Sequence, residues 1–118
     1  MPVRSLRSCV LTWPKTQTVT QALCRWAQRL GREHPDVLHV GYFGSYARGD
    51  AGVGSDLDIV IIVAESALPF ERRSACWDAT DLPVPADVLV YTATEWQTMQ
   101  GRLGKIVWVY TKDSHVQA

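Results

Sequence analysis

Asp56 and Asp58 stand one residue apart, directly ahead of the apolar run IVIIV, and a loop carrying Gly44, Gly49, Gly52 and Gly54 precedes them. On an extended chain, residues i and i+2 share a face with their Cα atoms about 6 to 7 Å apart, so both carboxylates can reach one cation. Asp87 is a third carboxylate, early in the apolar stretch PADVLVYT, where an unpaired charge is costly to bury. Three such groups on neighbouring strands make a hard oxygen site of the kind Mg²⁺ prefers. The glycines let backbone N–H groups approach an anion, Ser45 adds a hydroxyl donor, and Arg48 adds a planar guanidinium suited to phosphate oxygens. Each feature alone has a bland explanation: turn residues for Asp56 and Asp58, a surface salt bridge for Arg48, a solubilising edge charge for Asp87. Together they point to a nucleotide bound with magnesium. The spacing matches neither the Walker A loop, since no lysine follows these glycines, nor the dinucleotide fingerprint.

The elements that must position these groups are legible as periodicities. Val19, Ala22, Leu23, Trp26, Ala27 and Leu30 recur at helical spacing from Thr18 to Leu30, ending near Gly31 to Pro35. VLHVGYF (37–43) reads as a strand entering a turn, and the glycine-rich stretch 44–55 cannot be regular structure throughout. LDIVIIV (57–63) is apolar at nearly every position, as a strand covered on both faces would be, with Leu57, Ile59 and Ile61 turned away from the aspartates. Pro69 can open a short helix through FERRSACW, with Arg72 and Arg73 on a solvated face and Phe70, Ser74 and Trp77 on the other. PADVLVYT (85–92) is a third strand, Thr92 and Glu95 have capping-box spacing before EWQTMQGRL, and KIVWVYT (105–111) is a last strand. From Lys112 the chain is polar and predicted to fray. The order is helix, strand, glycine loop, strand, helix, strand, helix, strand, which is an α/β or α+β layer structure.

Composition excludes several classes. A length of 118 residues fits one domain, 1–118, with a core over about 18–110 and the tail 112–118. Twelve basic and twelve acidic residues cancel, so no global charge draws in nucleic acid or an anionic membrane. Cys9, Cys24 and Cys76 lack metal or disulfide spacing, and reduced thiols in a cytoplasmic protein are the simplest account. Cys24 is read as a small buried side chain. His34, His39 and His115 are scattered and are read as structural or exposed. Trp26, Trp77 and Trp96 fall on apolar helix faces and are assigned to packing rather than to base stacking. Residues 1–15 hold no signal-peptide core, and the longest apolar run, Ile59 to Ala64, cannot span a bilayer.

The pattern GS at Gly44 and Ser45, ten residues, then Asp56 and Asp58 resembles the signature of the polymerase-beta-like nucleotidyltransferase superfamily. The FGSYARGD context most resembles its minimal nucleotidyltransferase (MNT) members, over about Val37 to Tyr110. The resemblance implies that superfamily's fold, a mixed sheet of about four strands flanked by helices. It also implies that Ser45 and Arg48 hold the β and γ phosphates of ATP, with Gly44, Gly49 and Ser55 shaping the loop. Asp56 and Asp58 would hold two Mg²⁺ ions, with Asp87 as the third carboxylate, joining the catalytic metal and helping deprotonate the attacking hydroxyl. Two ions about 3.5 to 4 Å apart suit an in-line displacement at phosphorus. Tyr46 departs from the pattern, since many relatives carry arginine there; its ring could stack on the base or cover the loop.

MNT proteins commonly act as antitoxins of a helical HEPN ribonuclease, transferring AMP to one of its tyrosines. The resemblance therefore implies a protein adenylyltransferase in a hetero-oligomer with a HEPN toxin, with the acceptor supplied in trans. Two other readings stay open: an antitoxin acting by contact with a vestigial nucleotide site, and an enzyme modifying an aminoglycoside-like small molecule. A template-directed polymerase fits poorly, because a neutral chain has no grip on a phosphate backbone and no stable nucleic-acid binding is expected.

Overall fold

The computed structural model describes residues 15–99 and 101–112, apart from the side chain of Cys76. The expectations for the N-terminal segment, Cys9, His115 and the tail beyond Lys112 lie outside the described residues. Helix α1 (Thr16–Glu33) follows from its stripe: Val19, Leu23, Trp26, Ala27 and Leu30 are buried along it, while Cys24 is half-buried. The His34 amide closes it on the Leu30 carbonyl, and Pro35 prevents continuation. Trp26 fixes the helix laterally as well, its indole N–H donating to the Asp78 carbonyl at 2.9 Å.

Strands β1 (Val37–Phe43), β2 (Leu57–Val63), β3 (Ala86–Thr92) and β4 (Val107–Thr111) form one sheet in the order β3-β2-β1-β4. β2 runs antiparallel to β1 and parallel to β3, so the sheet is mixed and the fold is α+β. As expected, β2 is buried on both faces. Leu57, Ile59, Ile61 and Val63 join α1 in the main core, and Val60 and Ile62 are equally buried on the other face. Each fully buried Val, Leu or Ile contributes about 1.5–3 kcal/mol, so β2 anchors everything attached to its ends.

The second face is covered by α4 (Ala93–Met99), which Thr92 and Glu95 start with the reciprocal hydrogen bonds of a capping box, as the spacing predicts. Trp96 packs there against Tyr91 and Trp108, with ring centroids 5.7 and 5.8 Å away. The helix ends at Met99, and Gly101, at φ 86°, turns the chain, so Leu103 lies beyond the helix. Lys112 does not fray: its amide donates to the Leu38 carbonyl at 2.7 Å and its Nζ to Pro35.

The helix after Pro69 is shorter than expected, α3 (Phe70–Arg73) followed by a 3₁₀ turn, Ser74–Cys76. Arg73 corrects the sequence reading more sharply. It is buried, not solvated, and its guanidinium donates to both carboxylate oxygens of Glu95 at 2.6 and 3.1 Å and to the carbonyls of Leu68 and Val90. No described helix is long and apolar enough to cross a membrane.

Candidate active site

The parallel pairing of β2 with β3 sets Asp58 directly beside Asp87, and the antiparallel pairing with β1 sets Asp58 beside Phe43, the residue before Gly44. The carboxylates and the head of the glycine loop therefore meet at one end of the sheet. Gly44 has φ 73° and ψ −148°, a conformation essentially restricted to glycine. A Cβ at that position would collide with Asp58 Oδ2. Glycine at 44 and aspartate at 58 are thus parts of one arrangement, with the carboxylate occupying the space that a side chain would fill.

After Gly44 the chain makes a single helical turn, α2 (Ser45–Arg48). The Gly44 carbonyl accepts from Ala47 and Arg48, and the Ser45 carbonyl accepts from Gly49 and Asp50. The Gly52 amide donates to Ser55 Oγ at 2.9 Å, and the Ser55 amide donates back to the Gly52 carbonyl. Of the loop amides that could meet an anion, those of Gly49 and Gly52 are therefore spent on the loop itself. Those of Ser45 and Tyr46, at the start of the turn, have no intrahelical acceptor. Arg48 is exposed and lies 3.4 Å from Asp50, free to swing, since an exposed pair at that distance holds weakly.

Asp56 lies just outside β2 and is exposed, so the shared-face argument from strand alternation applies to it only at the strand's margin. Asp87 is also exposed, which removes the burial cost the sequence suggested. The half-buried carboxylate is Asp58. Its pKa is raised, first by burial and then by the charges of Asp87 and Asp56, with Arg48 pulling the other way. Those influences place Asp87, Asp56 and Arg48 within electrostatic reach of Asp58. Among the described residues, none of the three makes a salt bridge.

The fit to a divalent cation rests on this donor set: all oxygen and anionic, with the half-buried Asp58 penalised by burial and by its two acidic neighbours, a penalty that a hard cation would relieve. Among the described residues no three acidic, histidine or cysteine side chains already close around a single point. The carboxylates are side by side rather than caged.

Tyr46 answers the question its departure raised. It is buried in the main core, so its ring anchors the loop from below and is not available to stack on a base. Nothing in its sequence neighbourhood marks it as buried; only the turn of α2 against β1 and β2 does.

Residues 23–109 match the sequence family described as nucleotidyltransferase domain. No curated protein is significantly similar in sequence. Among solved structures, one from Sulfolobus solfataricus, provisionally described as a nucleotidyltransferase, superposes with a TM-score of 0.63 at 18% identity, covering 87% of this chain and 94% of that one. A toxin-antitoxin structure with AMP-PNP aligns with a TM-score of 0.46 at 16% identity, covering 80% of this chain and 77% of that one. The mixed four-stranded sheet flanked by helices agrees with the polymerase-beta-like nucleotidyltransferase fold. With the family matched over well over half of its length, the chain belongs to the nucleotidyltransferase domain family.

Proposed function

We propose that the chain transfers AMP from ATP to a tyrosine hydroxyl of a HEPN ribonuclease toxin in a Mg²⁺-dependent reaction, and so acts as its antitoxin. The observation that carries the nucleotidyl-transfer reading is the in-register pair Asp58 and Asp87, set against the Gly44 loop. The HEPN partner and the AMP unit rest on the resemblance of the GS and DxD motifs to MNT proteins.

In this reading the amides of Ser45 and Tyr46, which have no intrahelical acceptor, the Ser45 hydroxyl and Arg48 bind the terminal phosphates. Asp56, Asp58 and Asp87 would hold the divalent ions, which supply neutralisation of the charge on the reacting phosphate oxygens. The acceptor oxygen forms a bond to the α-phosphorus, the bond from that phosphorus to the bridging oxygen breaks, and pyrophosphate leaves with the electron pair. Asp87, exposed at the edge of the sheet, would take the hydroxyl proton. Gly49 and Ser55 keep the loop in shape through the hydrogen bonds described above.

The test is intact-mass analysis of a HEPN-domain protein offered as the partner, after incubation with ATP and Mg²⁺. Wild type is expected to add one or more AMP units, and an Asp56→Asn/Asp58→Asn chain none. Neutralisation by that variant without mass gain would replace this reading with a contact-only antitoxin. AMP appearing on an aminoglycoside but not on the protein would make the acceptor a small molecule.

A further inference from the structure

Among the described residues β3 forms an outer edge of the sheet, and a groove of about 930 Å³ lies against it, lined by Leu82, Val84 and Val88, by Trp77 and Thr80, and by Asp87. We propose that this groove is the acceptor site. An extended polypeptide segment pairs with the edge of β3, which has no strand partner among the described residues, at Ala86 and Val88 and presents its hydroxyl at Asp87. The inference rests on the nucleotidyl-transfer reading above and names where its second substrate lies.

Two independent features carry it. The first is direction. Across the sheet the order is loop-bearing β1, then β2 with Asp58, then β3 with Asp87. In an in-line displacement the attacking oxygen and the leaving pyrophosphate stand on opposite sides of the phosphorus. With the leaving phosphates over the Gly44–Arg48 loop, on the β1 side, the attacking hydroxyl arrives from the β3 side, where Asp87 lines the groove.

The second is the polarity of the edge. The Pro85 carbonyl faces β2, where it accepts from the Leu57 amide at 2.9 Å, whereas the Val90 carbonyl faces outward, where it accepts from Arg73 at 3.2 Å. Strand alternation then turns the N–H and C=O of Ala86 and Val88 outward too, along the groove. Arg73 and α3 close the strand's far end, so the open stretch is the one next to Asp87. The groove's volume is that of an ordinary ligand cavity, about 300–1,000 Å³, and decides nothing by itself. Apolar side chains beside a ladder of donors and acceptors that is unpaired among the described residues are what strand addition uses.

The probe is a capped peptide, acetyl-Val-Tyr-Val-Thr-amide, titrated into the isotope-labelled full chain and followed by backbone amide shifts, then incubated with α-³²P-ATP and Mg²⁺. The expected result is saturable shifts at Ala86, Val88 and along 74–84. Affinity should fall at least tenfold in Val88→Pro, which removes an outward donor, and in Ala75→Arg, which fills the groove from an exposed position, with ATP affinity unchanged in both. Absence of saturable shifts in the groove, equal binding by both variants, or equally tight binding of N-acetyltyrosine amide would overturn the proposal. If the peptide occupies the groove but takes no label, the groove stands and the transfer reading falls. If it is labelled equally by wild type and both variants, the transfer reading stands and the groove falls.

Discussion

At the C-terminal end of β3 the Glu95 carboxylate receives two hydrogen bonds from the buried Arg73 guanidinium and one from the Thr92 amide, and its pKa falls from 4.5 to about 2, chiefly through Arg73. At the N-terminal end of the same strand, Asp87 lies beside Asp58, Asp56 is close by, and the Asp58 pKa moves the opposite way. One end holds a charge with every partner supplied by the chain; the other accumulates like charges and supplies no salt bridge among the described residues. A structural charge is satisfied internally, because a buried ion without a partner is strongly destabilising. Charges left to repel one another on a rigid scaffold are the mark of a site that binds something from outside.

The sharpest way to break this comparison is at the acidic end. Asp58→Asn and Asp87→Asn should each lower nucleotidyl transfer about a thousandfold, the several kcal/mol that charge stabilisation at phosphorus supplies, measured as pyrophosphate release. Asp58→Asn should also raise the melting temperature of the nucleotide-free chain. The sign follows from the raised Asp58 pKa: the folded state prefers the protonated form, so its contribution to stability declines as pH rises above 3.8 through the shifted value. Lost activity with lost stability would contradict the account.

Gly44→Ala introduces a Cβ against Asp58 at a backbone conformation alanine avoids, and should cost about 2–4 kcal/mol in urea denaturation while displacing the carboxylate. Arg73→Met should cost about 2–3 kcal/mol by orphaning Glu95 and two carbonyls. Because the Glu95 pKa is depressed, its contribution is fully present above pH 4.5 and is lost as pH falls toward about 2. The gap between wild type and Arg73→Met should therefore narrow over that interval in acid titrations followed by circular dichroism. Thr92→Val, which removes only the hydroxyl half of the capping box, should cost about 1 kcal/mol and leave transfer unchanged.

The acidic end was the more legible of the two from sequence. β1 and β2 lie at 37–43 and 57–63 as read, because strands buried on both faces leave unbroken apolar runs. The glycine before Ser45 and the aspartates announce themselves by type. What the sequence could not show is that Asp58 and Asp87 stand in register, since parallel pairing across an intervening helix leaves no local trace. Arg73 was misread for the same reason. Its neighbour Arg72 is exposed, and its partner Glu95 lies 22 residues on, so only the packing of α3 against β3 and α4 distinguishes the two arginines. Tyr46 and the internally bonded loop amides belong with these, being settled by a single helical turn too short for any periodicity to reveal.

Isothermal titration calorimetry with a non-hydrolysable ATP analogue, in the presence and absence of Mg²⁺, tests the central claim most directly. The account predicts one site per chain whose affinity depends on the metal and is lost in Asp58→Asn. Binding that is indifferent to both the metal and Asp58 would contradict it.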